Sequence, residues 1–341
     1  MQIDQGPYLV TGATGFVGSA VVRELLGKGA DVRVLARPGG DRRNLEGLNV
    51  TVCEGDLLQP DSLRSMLDGC AGLFHVAADY RIWTRDPDAM FRANVEGTRT
   101  ILKQAHDAGV RRSVYTSSVA VLGIDPTGRP ADEETPVSYS DMIGVYKQSK
   151  YRAEQACMEV IAETGHDCVI VNPSTPIGPR DIKPTPTGRL VVEAASGRMP
   201  AYVDTGLNVA HVDDVAAGHL LAFEKGQQGR RYILGGEDMT LRDILTTVAG
   251  YAGVKPPLMQ IPRAPIYPMA WLAERWCAMT GRGEPFATVD GLRMSKKKMF
   301  FSSKRAEDDL GYRHRAGADA LADAVDWFRE NNYLGRRSAA S

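Results

Sequence analysis

The sequence predicts an α/β fold, a doubly wound parallel sheet with a smaller mixed α/β C-terminal lobe. Three observations point there. From Tyr8 to Pro173, short runs rich in β-branched and aromatic residues alternate with helical patterns, as parallel strands joined by crossover helices require. A glycine-rich turn, TGATGFVG, stands between the first such strand and the first helix. After Pro173 the alternation breaks in NPSTPIGPRDIKPTPTGR, with five prolines in eighteen residues, so the chain leaves the sheet there as irregular loop.

Taken in order, YLVTG, DVRVLA, NVTVCEGD, GLFHVAA, RSVYTSS and CVIVNP are the six candidate strands of the sheet. The first helix begins at Phe16 and stops near Gly27 or Gly29, where glycine suits a C-terminal cap. Asp86 to Ala108 reads as one long helix, as does Gly144 to Thr164. Within the latter, VYKQSKYRAEQACMEVIAE holds no Gly or Pro and places Val145, Ala156, Val160 and Ile161 among polar residues. The apolar segment Val209 to Phe223 and the strand-like RRYILGG are expected to return to the main domain, and Met239 to Phe301 to complete the lobe. The expected division is therefore 1–172 plus about 208–235 for the sheet domain, 173–207 and about 236–312 for the substrate lobe, and 313–341 for a C-terminal helix and tail.

The 341 residues, 43% hydrophobic, suffice for a substantial core. Forty-one basic and forty-two acidic residues leave a formal charge of −1, so no nucleic-acid partner is expected, and KKK at Lys296 to Lys298 reads as a solvated surface run. The five cysteines are scattered without metal-ligand spacing, so neither a metal site nor a disulfide framework is expected. MQIDQGPYLVTG carries no leader pattern and runs straight into a strand, giving the expectation of a cytoplasmic protein. IYPMAWLAERWCAM at 266–279 is too short to span a bilayer. Packing within the lobe is its ordinary reading, and peripheral contact with a membrane or a lipid-like substrate is the alternative.

Tyr146 and Lys150 stand four apart on the long helix, which puts a phenol and an ammonium on one face. A neighbouring cation is one physical way to bring a phenol, with its ordinary pKa of about 10, into use as a proton donor and acceptor near neutrality. Tyr251 and Lys255 share the spacing, but Gly253 between them and Pro256 and Pro257 after them should end that helix and separate the pair.

In the glycine turn, Gly12, Gly15 and Gly18 allow close backbone approach, and the following helix start offers free N–H groups to a pyrophosphate. A Rossmann-type nucleotide site follows, with Gly12, Thr14, Gly15, Phe16, Val17 and Gly18 as its first contacts. The second strand ends Leu35-Ala36-Arg37, with Arg42 and Arg43 beyond, where an NAD site usually carries a carboxylate. Arginine there suits a 2′-phosphate, so NADP(H) is the preferred cofactor with Arg37 its ligand, and NAD(H) the alternative. Asp56 and Leu57 after the third strand would meet the adenine, and Ala77 and Ala78 after the fourth would line the pocket. His75 reads as a satisfied core histidine rather than a catalytic one.

TGATGFVG, GD at 55–56, HVAA, NVEGT at 94–98, YTSS, YKQSK, NPSTPIGPR, HVDDVA at 211–216 and SKRAEDDLGY at 303–312 together resemble the extended short-chain dehydrogenase/reductases, the NAD-dependent epimerase/dehydratase superfamily. Within it the chain is similar to dihydroflavonol-4-reductase-like enzymes, and HVAADYRIW resembles the hopanoid-associated sugar epimerase group. The resemblance implies Tyr146 as general acid/base, Lys150 as the cation that lowers its pKa and holds the nicotinamide ribose, and Ser118 as the hydroxyl that polarises the substrate oxygen. Ser118 is preferred to Ser117 by counting back from Gly123. The resemblance also implies that Asn94 supports the neighbouring strand, that Pro173 lies at the nicotinamide end, and that the protein is a homodimer paired through two long helices.

Three reactions share such machinery. Dehydration needs further acidic groups, and Val119, Ala120 and Val121 follow Ser118 instead. Arg37 favours a reductase that moves hydride at a secondary alcohol or ketone carbon of a small-molecule substrate, and the resemblance alone implies hopanoid or terpenoid side-chain metabolism. A nucleotide-sugar epimerase that recycles its cofactor in place is the alternative, and a non-catalytic NADP-binding regulator the third reading. Tyr80, Trp83 and Arg180, with Arg81, Arg85 and Arg189, are the candidate substrate contacts, each with an ordinary packing or surface explanation as well.

Overall fold

A computed structural model describes residues 2–3, 6–280, 285 and 287–335. The chain begins with β1 (Pro7–Thr11), α1 (Phe16–Gly27), β2 (Asp31–Ala36), β3 (Thr51–Glu54), α2 (Arg64–Leu67) and β4 (Gly72–His75). It continues through α3 (Pro87–Phe91), α4 (Gly97–Asp107), β5 (Arg112–Thr116), α5 (Gly144–Thr164) and β6 (Cys168–Pro173). Then come β7 (Thr175–Ile177), α6 (Pro186–Ala195), β8 (Ala201–Tyr202), β9 (Gly206–His211), α7 (Val212–Lys225), β10 (Arg231–Leu234), β11 (Glu237–Thr240) and α8 (Leu241–Ala252). The last elements are β12 (Met259–Gln260), α9 (Ile266–Thr280), α10 (Val289–Met294), α11 (Lys304–Leu310) and α12 (Gly317–Glu330).

The main sheet runs β10-β6-β5-β4-β1-β2-β3, with every pairing parallel. Alternation along β1 explains why both faces are covered: Tyr8 and Val10 enter one core with Phe74, Val215 and Phe223, while Leu9 enters the other with Tyr115, Ile101 and Val160. α1 and α7 pack on the first face and α4 and α5 on the second. The strand order reverses between β1 and β4, so the crevice for a nucleotide opens at the carboxyl ends there.

Residues 168–173 and 31–36 form strands, and 16–27 and 144–164 helices, as read from the sequence, and RYIL supplies a seventh strand to the sheet. The third, fourth and fifth strands stop earlier than the apolar runs suggest, because Gly55-Asp56, Val76-Ala77 and Ser117-Ser118 have already turned into loops. Asp86 to Ala108 is interrupted: residues 92–96 form a π turn between α3 and α4. The segment from Val209 divides, its strand joining a separate sheet β11-β9-β7 and its helix packing on α1. A second core unites α6, α8 and α12 through Val191, Ile244, Val248, Leu321 and Phe328. The α9 segment differs from the ordinary expectation of lobe packing: it buries Ala270 and Cys277 and exposes Met269, Trp271, Leu272, Trp276 and Met279.

Candidate active site

The topology gathers the candidate residues at one edge. Gly12, Arg37, Asp56, Ala77, Ser118 and Pro173 follow or end strands β1, β2, β3, β4, β5 and β6, so all lie at the carboxyl end of the sheet.

At the glycine turn the fit is close. Gly12 has φ +71°, and a Cβ there would lie 2.6 Å from the Ala77 nitrogen, while one on Gly18 would lie 2.1 Å from the Gly12 carbonyl oxygen. Gly15 caps α1 with no side-chain acceptor for the first N–H groups, Phe16 and Val17 opening the helix. A bound pyrophosphate suits that gap, because the helix start presents both donors and a positive dipole end. The Thr11 hydroxyl accepts from the Ala77 N–H at 3.2 Å and meets His75 Nδ1 at 2.7 Å, pinning the loop after β4 to the turn. His75 Nε2 lies 3.0 Å from the Thr98 hydroxyl, and burial lowers the imidazole to about 3, so it is a neutral core histidine. The Thr14 carbonyl accepts from the Asn44 amide at 3.2 Å, which ties the turn to the segment beyond β2.

Three arginines follow β2, and two are neutralised: Arg42 pairs with Glu54, and Arg43 with Asp41 at 2.8 Å. Arg37 is exposed and has no side-chain partner among the described residues. Asp56 accepts from the Leu58 N–H at 2.9 Å within the loop after β3, and Leu57, packed beside Gly97, holds that loop against α4.

On the other side of the crevice, the Ser118 hydroxyl accepts from the Ala120 N–H at 3.1 Å and faces the Tyr146 phenol, which burial raises above its ordinary value while Ser118 opposes the shift. Ser118, not Ser117, is the hydroxyl so placed; the Ser117 Oγ is buried with no partner. Lys150, 3% exposed, donates to the Thr116 carbonyl at 2.9 Å and to the Tyr115 hydroxyl at 3.3 Å. Burial lowers its ammonium to about 8, with Glu154 one turn on working against the shift. Lys150 is thus held along β5, one turn from Tyr146 on the same helix, and desolvation and Ser118 are the influences that shift the phenol. Asn94, in the π turn, accepts from the Asp79 N–H at 2.7 Å and donates to the Asp79 carbonyl and the Ser149 hydroxyl, both at 2.9 Å. One amide therefore locks the loop after β4 onto the helix that carries Tyr146. Pro173 ends β6 against Leu234 of β10.

The substrate candidates do not form one group. Tyr80 is exposed and Trp83 partly buried, with the Arg85 guanidinium 5.7 Å from the Trp83 ring and donating to the Cys277 carbonyl at 3.1 Å. Arg81 pairs with Asp79 at 2.5 Å. Arg180, at φ 75°, is committed to Asp213 at the start of α7, and Arg189 is exposed on α6. Sequence reasoning missed Lys147. Only 7% exposed, it lines a cavity of about 90 Å³ with Gly123, Asp141, Lys297 and Met299, and burial and Lys297 lower its ammonium to about 8. Its position next to Tyr146 in YKQSK was the available signal.

Residues 8–235 match the model of the NAD dependent epimerase/dehydratase family. A Synechocystis sp. protein with the provisional name dihydroflavonol 4-reductase is 46% identical over 331 residues, covering 96% of each chain. Sterol demethylase protein B of Methylococcus capsulatus is 37% identical over 331 residues, 96% of this chain and 99% of its own. The crystal structure of gox2253 superposes with a TM-score of 0.87 at 52% identity, covering 97% of this chain and all of that one.

Proposed function

The chain belongs to the NAD dependent epimerase/dehydratase family, and on that premise we propose that it is an NADP(H)-dependent carbonyl reductase acting at a secondary alcohol or ketone carbon. The carrying observation is the Ser118–Tyr146 hydroxyl pair, with Lys150 one turn further along the same helix. A phenol held above its ordinary pKa is protonated at neutral pH, which is the state reduction requires.

When bound, the nicotinamide supplies or accepts the hydride. Tyr146 Oη gives its proton to the carbonyl oxygen as charge develops there, and the Ser118 hydroxyl donates a second hydrogen bond to the same oxygen. In oxidation the phenolate takes the alcohol proton back. Lys150, donating to the Thr116 carbonyl, holds positive charge beside the pair and is placed to bind a ribose hydroxyl. Gly12, Gly15 and Gly18 admit the pyrophosphate, and Arg37, with no side-chain partner among the described residues, takes the 2′-phosphate. The relative named for sterol demethylation and the aromatic pair Tyr80 and Trp83 support a polycyclic or terpenoid ketone as substrate class.

Incubation of the purified protein with NADPH and a panel of terpenoid ketones and nucleotide sugars tests this reading. Loss of one NADPH per alcohol formed is the expected result. Isomerised sugar without net NADPH loss would replace the reductase by the epimerase.

A further inference from the structure

The α9 segment and the strand before it carry an apolar surface that the reaction does not use. Met269, Leu272, Trp276 and Met279 recur at helical spacing with Trp271 beside them, and exposure reaches 69% at Trp276 and 84% at Met279. Leu258 and Met259 are also exposed. A contiguous patch of this kind is hydrated at a cost unless something covers it.

The charge around the patch says what. Residues 255–301 hold eight basic and three acidic residues, whereas the rest of the chain holds thirty-three basic and thirty-nine acidic. Lys296, Lys297, Lys298 and Arg293 are exposed. The Lys296 ammonium lies 5.7 Å from the Tyr267 ring at the start of α9, and the Arg275 guanidinium 5.3 Å from the Trp271 ring. Basic heads therefore border the tryptophan and leucine stripe, as on helices that lie in a membrane interface with the charges at headgroup level. A second copy of the same face would bring like charges together, whereas an anionic surface satisfies both features. None of the described helices is long and apolar enough to cross a membrane, and α9 is roughly 22 Å long by its rise per residue.

We propose that α9, together with Lys296 to Lys298, is a docking face for an anionic lipid bilayer, with the helix lying in the interface plane. Arg85 joins this face to the loop carrying Tyr80 and Trp83 through the Cys277 carbonyl, so docking brings that loop to the bilayer.

Flotation of the full chain with vesicles tests the proposal, comparing phosphatidylcholine alone with equal parts phosphatidylcholine and phosphatidylglycerol. Binding to the anionic vesicles is expected, weaker by about tenfold in molar salt because screening removes the attraction. The double variant Trp271→Glu/Trp276→Glu and, separately, Lys296→Gln/Lys298→Gln should each lose about tenfold or more, with an unchanged thermal midpoint. Absence of binding to either vesicle overturns the proposal, as does equal binding by the tryptophan variant. A tryptophan variant that converts a dimer to a monomer, with no vesicle binding by the parent, would show instead that a second copy covers the face.

Discussion

In the proposed reading Arg37 governs nucleotide choice and Tyr146 proton transfer, so each has its own test. Among the described residues Arg37 has no side-chain partner, whereas its neighbours Arg42 and Arg43 are spent on Glu54 and Asp41. Arg37→Ala should raise the KM for NADPH about tenfold or more, since a charge-assisted contact contributes roughly 1.5–3 kcal/mol, and leave the KM for NADH nearly unchanged. Steady-state kinetics with both nucleotides checks it; an equal rise in both would remove Arg37 from the phosphate site. Arg37 and the Tyr146–Lys150 pair were legible in the sequence because local spacing and strand ends expose them. The commitment of Arg180 to Asp213 was not, because the partner lies thirty-three residues away and only the folded chain joins them. Lys147 was hidden for a related reason: a lysine inside a motif looks solvated until packing shows it nearly buried.

At the scale of elements, the turn between β1 and α1 has no room for a side chain. Gly18→Ala would drive a Cβ to 2.1 Å from the Gly12 carbonyl oxygen, backbone that cannot swing away. The expected cost is about 1–3 kcal/mol of stability, with weaker nucleotide binding as the turn opens. Denaturant unfolding and nucleotide titration of that variant would show both effects, and parent-like values would contradict the tight fit. Gly253 shows the opposite use of glycine: in left-handed conformation it ends α8 at Ala252, leaving Lys255 beyond the helix that holds Tyr251. That outcome follows from the Gly253-x-x-Pro256-Pro257 sequence. The π turn at 92–96 had no such signal, since Phe91 to Thr98 contains no breaker before Gly97, and its purpose, aiming Asn94 at Asp79 and Ser149, is tertiary. The β9 strand was ambiguous for another reason: a short apolar run reads alike in a main sheet and in a side sheet.

Across the whole molecule, three histidines are stored neutral in the sheet domain. Burial lowers His75 to about 3 and His166 and His219 to about 4, and His219 is held between the Thr116 hydroxyl at 2.9 Å and the Val215 carbonyl at 2.7 Å. Their folded values lie below the ordinary value of about 6.5, so in acid the unfolded chain takes protons that the folded chain refuses. The stability they allow is complete above about 6.5 and is lost as the pH falls towards 4. Asp181, raised to about 6 by burial, works in the other direction and flattens the total. His219→Gln should therefore lose less stability on acidification than the parent, by about 1 kcal/mol between pH 6 and pH 5. Urea unfolding at both pH values measures the difference, and identical slopes would contradict the neutral assignment.

The parallel sheet brings residues from the ends of six strands into one crevice, and the reductase reading depends on that convergence producing one proton path through Tyr146. The most direct measurement compares Tyr146→Phe with the parent in single-turnover NADPH oxidation on a ketone the parent reduces, with NADPH affinity measured alongside. A fall in rate of about a hundredfold or more with affinity within about twofold is expected, since positioned acid catalysis is worth that much. Retention of the parent rate by the phenylalanine variant would contradict the site.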